Sequence, residues 1–234
     1  MDMVNVSQKS CYILSHKTNK EGVQYCIYLG IGSHGIDTVK QMFEHVEGQV
    51  KDKSYMIIAF ESSDWNRDFS PWEAPPAFGQ EGFAGGASET LNWLKKECIP
   101  YVEKTYLQGS NAKNFIAGYS LAGLFGLWAF YTSGIFSGAA SISGSLWFPG
   151  WIEFARKSAA PKESIVYLSL GNKEEHIKNK VMERIGDATR EMDELLERDG
   201  NVVKHTLEWN VGGHFNEPEV RTAKGMVWLL REAF

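Results

Sequence analysis

The sequence predicts an α/β protein: a mainly parallel central sheet, helices on both faces and an antiparallel hairpin at the N-terminus. Two observations carry this. Short apolar or β-branched runs alternate with helix-period segments almost from end to end, which is how strand–helix–strand units read. Residues 114–152 also carry no charge at all, the signature of a strand and helix buried inside such a sheet. A membrane span is the rival reading of that stretch. It needs about 20 mostly apolar residues, and the apolar run 121–131 stops at Thr132-Ser133-Gly134. With 234 residues, 43% hydrophobic and 23% charged, the composition is that of an ordinary globular chain and excludes disordered or collagenous classes. No linker, repeat or low-complexity tract divides it, so one domain over 1–234 is expected.

Strands are predicted at 10–15, 24–29, 55–60, 114–117, 137–142, 165–170 and 202–209. The first two are joined by only 17–23, too short for a crossover helix, so they are expected to pair as the hairpin. Val39, Met42, Phe43 and Val46 then recur at helical spacing, with Asp37 and Thr38 as candidate caps. The stretch 61–86 has no period but holds Trp65, Phe69, Trp72, Phe78 and Phe83 beside three prolines. Such a loop either packs on its own small core or lines a site. Residues 88–106 start as a helix that is expected to yield or kink at Pro100. Residues 177–198 place Val181, Ile185, Ala188, Met192 and Leu195 on one stripe. The last helix, 218–231, opens on Pro218 and is expected to bury Val220, Ala223, Val227 and Leu230.

The net charge is −5, with no basic block, so nucleic acid is not an expected partner. Cys11, Cys26 and Cys98 are odd in number and share no metal-ligand spacing. They suit buried thiols in a reducing, cytoplasmic setting. The opening residues have no basic region followed by an apolar run, so no signal peptide is expected.

The chemistry concentrates in Gly118-Tyr119-Ser120-Leu121-Ala122-Gly123. This run follows a strand and opens the apolar helix, the context in which an α/β hydrolase presents a nucleophilic serine. The residues two before and two after must be small, and here they are Gly118 and Ala122. A hydroxyl needs a base, and the base an acid to orient it. In this fold the chain order is serine, acid, histidine. His16, His34 and His45 precede Ser120, His205 sits in a strand, and His176 opens a helix. His214, in Gly212-Gly213-His214-Phe215 between the last strand and the last helix, is the candidate base. The acid should follow the preceding strand, where Gly171-Asn172-Lys173-Glu174-Glu175 offers two. Glu174 is preferred, and Glu175 suits the positive end of the next helix. The Leu121 N–H is one expected oxyanion donor. Ile31, with Gly32 as second choice, is the other, from the loop after an earlier strand.

That loop supports a rival. Gly30, Gly32 and Gly35 spell G-x-G-x-x-G, and the next strand ends at Glu61, which could bind a ribose in an NAD(P)-dependent oxidoreductase. Two points weigh against it. The helical period starts only after Asp37-Thr38, and the ordered Ser120, Glu174 and His214 would be coincidence. A non-catalytic binding protein of the same fold is a third reading.

The run Gly118 to Phe125 resembles the G-x-S-x-G-G-L-F signature of the putative-esterase family of α/β hydrolases, which includes siderophore, feruloyl and S-formylglutathione esterases. The resemblance extends through Phe69-Ser70-Pro71-Trp72, Phe83-Ala84-Gly85-Gly86-Ala87, Ile99-Pro100-Tyr101-Val102, Gly171-Asn172-Lys173-Glu174 and Gly213-His214-Phe215. It departs at Ala122, where many members have glycine, and lacks a large cap insertion. It implies a serine esterase acting through an acyl-enzyme, with no metal or cofactor. The partner it implies is a small-molecule ester, without membrane or nucleic acid. Trp65, Phe69, Trp72 and Tyr119 are expected to wall the pocket, which would suit an aromatic ester such as a catecholate trilactone.

Overall fold

The computed structural model describes residues 1–18, 22–33, 35–109, 111–176 and 179–233. His34, Ile177 and part of the 17–23 connection lie outside them. The chain runs β1 (Asp2–Val6), β2 (Lys9–His16), β3 (Tyr25–Ile31), α1 (Gly35–Gln49), β4 (Tyr55–Glu61), α2 (Trp65–Asp68), β5 (Glu73–Ala74) and β6 (Phe83–Ala84). There follow α3 (Ala87–Trp93), α4 (Ile99–Val102), β7 (Lys113–Tyr119), α5 (Leu121–Ser133), β8 (Gly138–Ile142), α6 (Trp151–Lys157) and β9 (Ser164–Gly171). The chain ends with α7 (Ile185–Arg198), β10 (Val202–Asn210) and α8 (Pro218–Glu232). Eight strands form one sheet in the order β1-β2-β4-β3-β7-β8-β9-β10. From β4 to β10 every neighbour is parallel.

The hairpin is present but made of other strands than expected. β2 pairs antiparallel with β1, through register Val6↔Lys9, and on its other side with β4. It does not touch β3, because β4 lies between them. β2 and β3 still run in opposite directions, but one strand position apart. The missed strand, Asp2–Val6, is half exposed and only five residues long, so its apolar signal is weak. Ser7 and Gln8 turn the hairpin with φ of 47° and 73°. Two positive φ values match the right-handed twist of the flanking strands.

The sheet's two faces bury separate cores. Val39, Met42 and Val46 of α1 pack on one face with Ala223, Met226, Val227 and Leu230 of α8. On the other face α5 is buried all round its circumference, with Leu124, Phe125, Leu127 and Phe130 in the core beside Leu94, Trp151 and Met192. No described helix is long and apolar enough to cross a membrane. The 114–152 signal is therefore β7, α5 and β8, stacked in the middle of the sheet.

Several boundaries differ from expectation. α1 opens at Gly35, so Asp37 and Thr38 lie inside its first turn and are not caps. The helix from Ala87 carries on past Pro100 to Leu107, through wide π turns at Leu94–Cys98 and Glu103–Leu107. A widened turn accommodates a residue that lacks an N–H and crowds the carbonyl four residues back. α7 begins at Ile185, leaving Val181 exposed and Leu196, not Leu195, fully buried. In α8, Val220 is only half-buried, and Arg221 and Thr222 take the inward face. α6 was not foreseen.

Left-handed backbone costs a side chain about 1–2 kcal/mol that glycine does not pay, partly offset by glycine's larger entropy loss. Gln8→Gly is therefore expected to raise stability by about 0.5–1 kcal/mol, read as a higher urea midpoint with an unchanged slope. An unchanged or lower midpoint would show that the turn carries no strain.

Candidate active site

The loops that matter leave the carboxyl ends of the parallel strands. The chain adds β4 on one side of β3 and β7 on the other, so the loops after β3 and β7 diverge. An open α/β sheet forms its crevice at such a point. Ser120 stands there, between β7 and α5, with φ 58° and ψ −124°. That conformation costs about 1–3 kcal/mol and persists only when its surroundings over-determine it. They do. Ser120 N–H donates to the Ile142 carbonyl at 3.0 Å, and its carbonyl accepts from Gly123, Leu124 and Ser145. A Cβ on Gly118 would stand 2.3 Å from the carbonyl carbon and oxygen of Ala122, and one on Gly123 2.9 Å from the Gly118 oxygen. The tight turn thus needs both glycines. Leu121, the first residue of α5, has an N–H without an intrahelical partner, so it remains the first candidate for an oxyanion donor.

His214 Nε2 lies 3.0 Å from Ser120 Oγ, and its Nδ1 lies 2.7 Å from Glu174 Oε2. The fold brings these three together from loops after β7, β9 and β10. Glu174 is 5% exposed. Burial alone would push its carboxyl up. The hydrogen bond and attraction of His214, the Ser143 hydroxyl and the Gly171 N–H outweigh burial, holding it below the ordinary glutamate range. Glu175 points away and takes Arg190 of α7 in a two-oxygen ion pair. Its carboxylate lies over the first turn of α7, where a Cβ on Gly186 would meet Oε2 at 1.8 Å. Among the other histidines, His16 meets Glu47, His205 meets Asp193, and His176 is exposed in a turn.

Beside Ser120 opens a cavity of about 430 Å³. Trp65, Phe78, Phe83, Trp147 and Met182 wall it, and Tyr119 lies at its base. Trp65 and Tyr119 thus stand where expected, whereas Phe69 and Trp72 do not. Phe69 has no exposure and packs among Phe60, Trp65 and Phe125. Trp72 donates its indole N–H to the Pro149 carbonyl and packs on Phe148 and Phe154, tying the 61–86 loop to α6. That loop both packs on itself and lines the cavity.

Ile31 is the last paired residue of β3, opposite Glu61, and its carbonyl accepts from Ser62 N–H. In a parallel ladder such a residue sends its own N–H to the same neighbour. Its N–H is therefore committed to β4. Gly32 lies just past the last paired residue, outside the ladder, which makes it the better candidate for a second donor. The glycine run also loses its nucleotide reading, although α1 does open at Gly35 as that reading requires. The space above Gly30 is filled: a Cβ there would meet the Phe69 ring at 3.0 Å and the Ala122 Cβ at 3.3 Å. Glu61 accepts from the Tyr12 hydroxyl. Among the described residues no three His, Cys, Asp or Glu side chains converge on a metal site.

Residues 14–216 match the putative-esterase family. The chain belongs to that family. No curated protein sequence matches it, but solved structures share its fold. The siderophore hydrolase EstA from Aspergillus nidulans is 17% identical with TM-score 0.74, over 99% of this chain and 94% of that one. An IroE-like serine hydrolase from Shewanella oneidensis is 18% identical with TM-score 0.74, over 95% and 76%. The enterobactin esterase of Shigella flexneri is 15% identical with TM-score 0.72, over 100% and 59%. The protein is a carboxylic-ester hydrolase of the α/β-hydrolase fold.

In this esterase three supporting contacts have no clear signature in the sequence. The Tyr119 hydroxyl donates to the His214 carbonyl, and the two rings lie 5.3 Å apart. Ser143, at φ 45°, donates to Glu174 Oε1 at 2.7 Å. Arg221 reaches the same oxygen. The available signal was a lone cation on the inward stripe of the last helix, seven residues after His214.

Glu174→Gln is expected to lower kcat by about 10²–10⁴-fold, as loss of a histidine-orienting acid does, with Glu175→Gln within about threefold. Steady-state ester hydrolysis separates them, and equal small losses would sink the assignment. Glu174 also links stability to pH. Its folded pKa is lowered, so its contribution is present above the unfolded value and lost as pH falls through the folded one. Unfolding midpoints should drop more steeply for the native protein than for Glu174→Gln between about pH 5 and pH 2. Parallel curves would refute the linkage.

Proposed function

We propose that the protein is a serine esterase working through an acyl-enzyme, with Ser120, His214 and Glu174 as its triad. The observation that carries this is the unbroken hydrogen-bond line from Ser120 Oγ through the imidazole to Glu174. Ser120 Oγ attacks the ester carbonyl while His214 Nε2 takes its proton. The N–H groups of Leu121 and Gly32 hold the oxyanion, and Glu174 stabilises the imidazolium. His214 then returns the proton to the leaving alcohol, and water repeats the sequence on the acyl-enzyme. These steps use the three side chains, two backbone N–H groups and water.

An aromatic or siderophore-type ester is the substrate class this reading favours. Trp65, Phe78, Phe83 and Trp147 give the cavity flat apolar walls, and the similar structures carry the names of siderophore and enterobactin hydrolases. A cytoplasmic site of action goes with the three free, buried cysteines. Burial, then the Glu103 charge, pushes Cys26 up to about 12, which keeps that thiol inert. A binding protein without catalysis would have no use for the strained serine turn or the aligned histidine.

Intact mass after treatment with a fluorophosphonate tests the reading. One adduct on the native protein and none on Ser120→Ala is expected. A folded native protein that takes no adduct would overturn the serine mechanism.

A further inference from the structure

We propose that Arg221 is a positioning residue: a buried cationic strut that locks the acid Glu174 and the loop carrying His214 into one geometry. This rests on the triad reading above. Arg221 lies in the first turn of α8 and is 2% exposed. Both facts are electrostatically unfavourable. The start of a helix carries partial positive charge, and a guanidinium taken out of water loses strong hydration that its partners must replace. A cation held against both has to be bound tightly by acceptors. Its Nη1 donates to Glu174 Oε1 at 3.3 Å and sits 3.4 Å from Ser143 Oγ. Its Nη2 donates to the Val211 carbonyl at 2.9 Å. Val211 is three residues before His214. One rigid fork therefore spans the acid turn after β9 and the histidine loop after β10.

The division of labour on the carboxylate follows. Arg221, Ser143 and the Gly171 N–H all go to Oε1, which leaves Oε2 to His214. Three donors on one oxygen fix the rotation of the group, so the other oxygen can only face the imidazole. The site is shaped for the fork. A Cβ on Gly171 would stand 2.4 Å from the Gly212 oxygen, 2.8 Å from Glu174 Oε1 and 3.0 Å from Arg221 Nη1. Backbone bonds from Asn172 N–H to the Asn210 carbonyl and from Lys173 N–H to the Gly212 carbonyl join the same two loops. Those bonds set the loops' spacing, and the arginine sets the carboxylate within it. The guanidinium has no bond to Ser120 and does not line the cavity, so its effect must pass through Glu174 and, by the smaller tie at Val211, the His214 loop.

A double-mutant cycle on p-nitrophenyl butyrate hydrolysis tests this, using native protein, Arg221→Met, Glu174→Gln and the pair. Arg221→Met is expected to lower kcat about 10- to 100-fold with KM changed less than about threefold. In the Glu174→Gln background the same change should cost less than about threefold. Arg221→Lys should recover only part of the loss, because an ammonium cannot span both acceptors. If Arg221→Met does not fold, as thermal unfolding would show, Arg221→Lys completes the cycle with the same expected coupling. An equal loss in both backgrounds, or full kcat in a folded variant, overturns the proposal. A native protein that neither hydrolyses the ester nor takes the fluorophosphonate would fail the triad reading itself, and the strut with it.

Discussion

The strand-to-helix turn at Ser120 is the constraint from which the rest of the site follows. A serine at φ 58° stays there only because β7 and α5 meet with no side chain between Gly118 and Ala122. That closeness has a further consequence. Ala122 also packs towards Gly30, so β3 must be bare at the level where it passes the turn, and the Phe69 ring fills the remaining space. One steric condition thus accounts for glycines on two strands and for a buried phenylalanine from a distant loop.

Around this rigid centre the other two groups are delivered by softer elements, and their precision comes from polar bonds. The acid turn and the histidine loop exchange backbone hydrogen bonds, and Gly212 at φ 103° lets the second loop fold under itself. Tyr119, between Gly118 and the nucleophile, holds the His214 carbonyl. The motif's second position therefore touches the base as well as the cavity. Glu174 stays ionised although buried, because it accepts four hydrogen bonds. Unsatisfied, a carboxylate at that depth would take up a proton and lose its hold on the imidazole.

The cavity shows how a loop without periodicity earns its place. Asp68, almost fully buried, takes Lys9 of β2 and the Ser62 hydroxyl. Ser70 accepts from Gly85 N–H. The 61–86 segment is thus fastened at both ends, so Trp65, Phe78 and Phe83 can stand as fixed walls beside Ser120.

Much of this was legible in the residues. Parallel strands buried on both faces read as apolar runs, and shorter apolar or β-branched runs marked β2 and β10 as well, so seven of the eight strands of the main sheet were legible. Ser120, His214 and Glu174 were legible as a candidate set because strand, tight turn and chain order constrain them locally, and the fold brings the three within hydrogen-bond reach. What the sequence could not decide involved partners distant along the chain. The neighbour of β2 depends on which strand reaches it first, and β4, forty residues on, takes the place beside it. Trp65, Phe69 and Trp72 are alike as aromatic loop residues, yet one lines the cavity, one plugs the space over Gly30 and one clamps α6. Ile31 and Gly32 differ as candidate oxyanion donors because Ile31 is paired in the ladder with β4 and Gly32 lies beyond it. Arg221 could be noticed in the sequence only as a charge on an apolar stripe. The carboxylate and carbonyl that hold it lie 47 and 10 residues away, and only the packing of β9, β10 and α8 brings them within reach of one guanidinium.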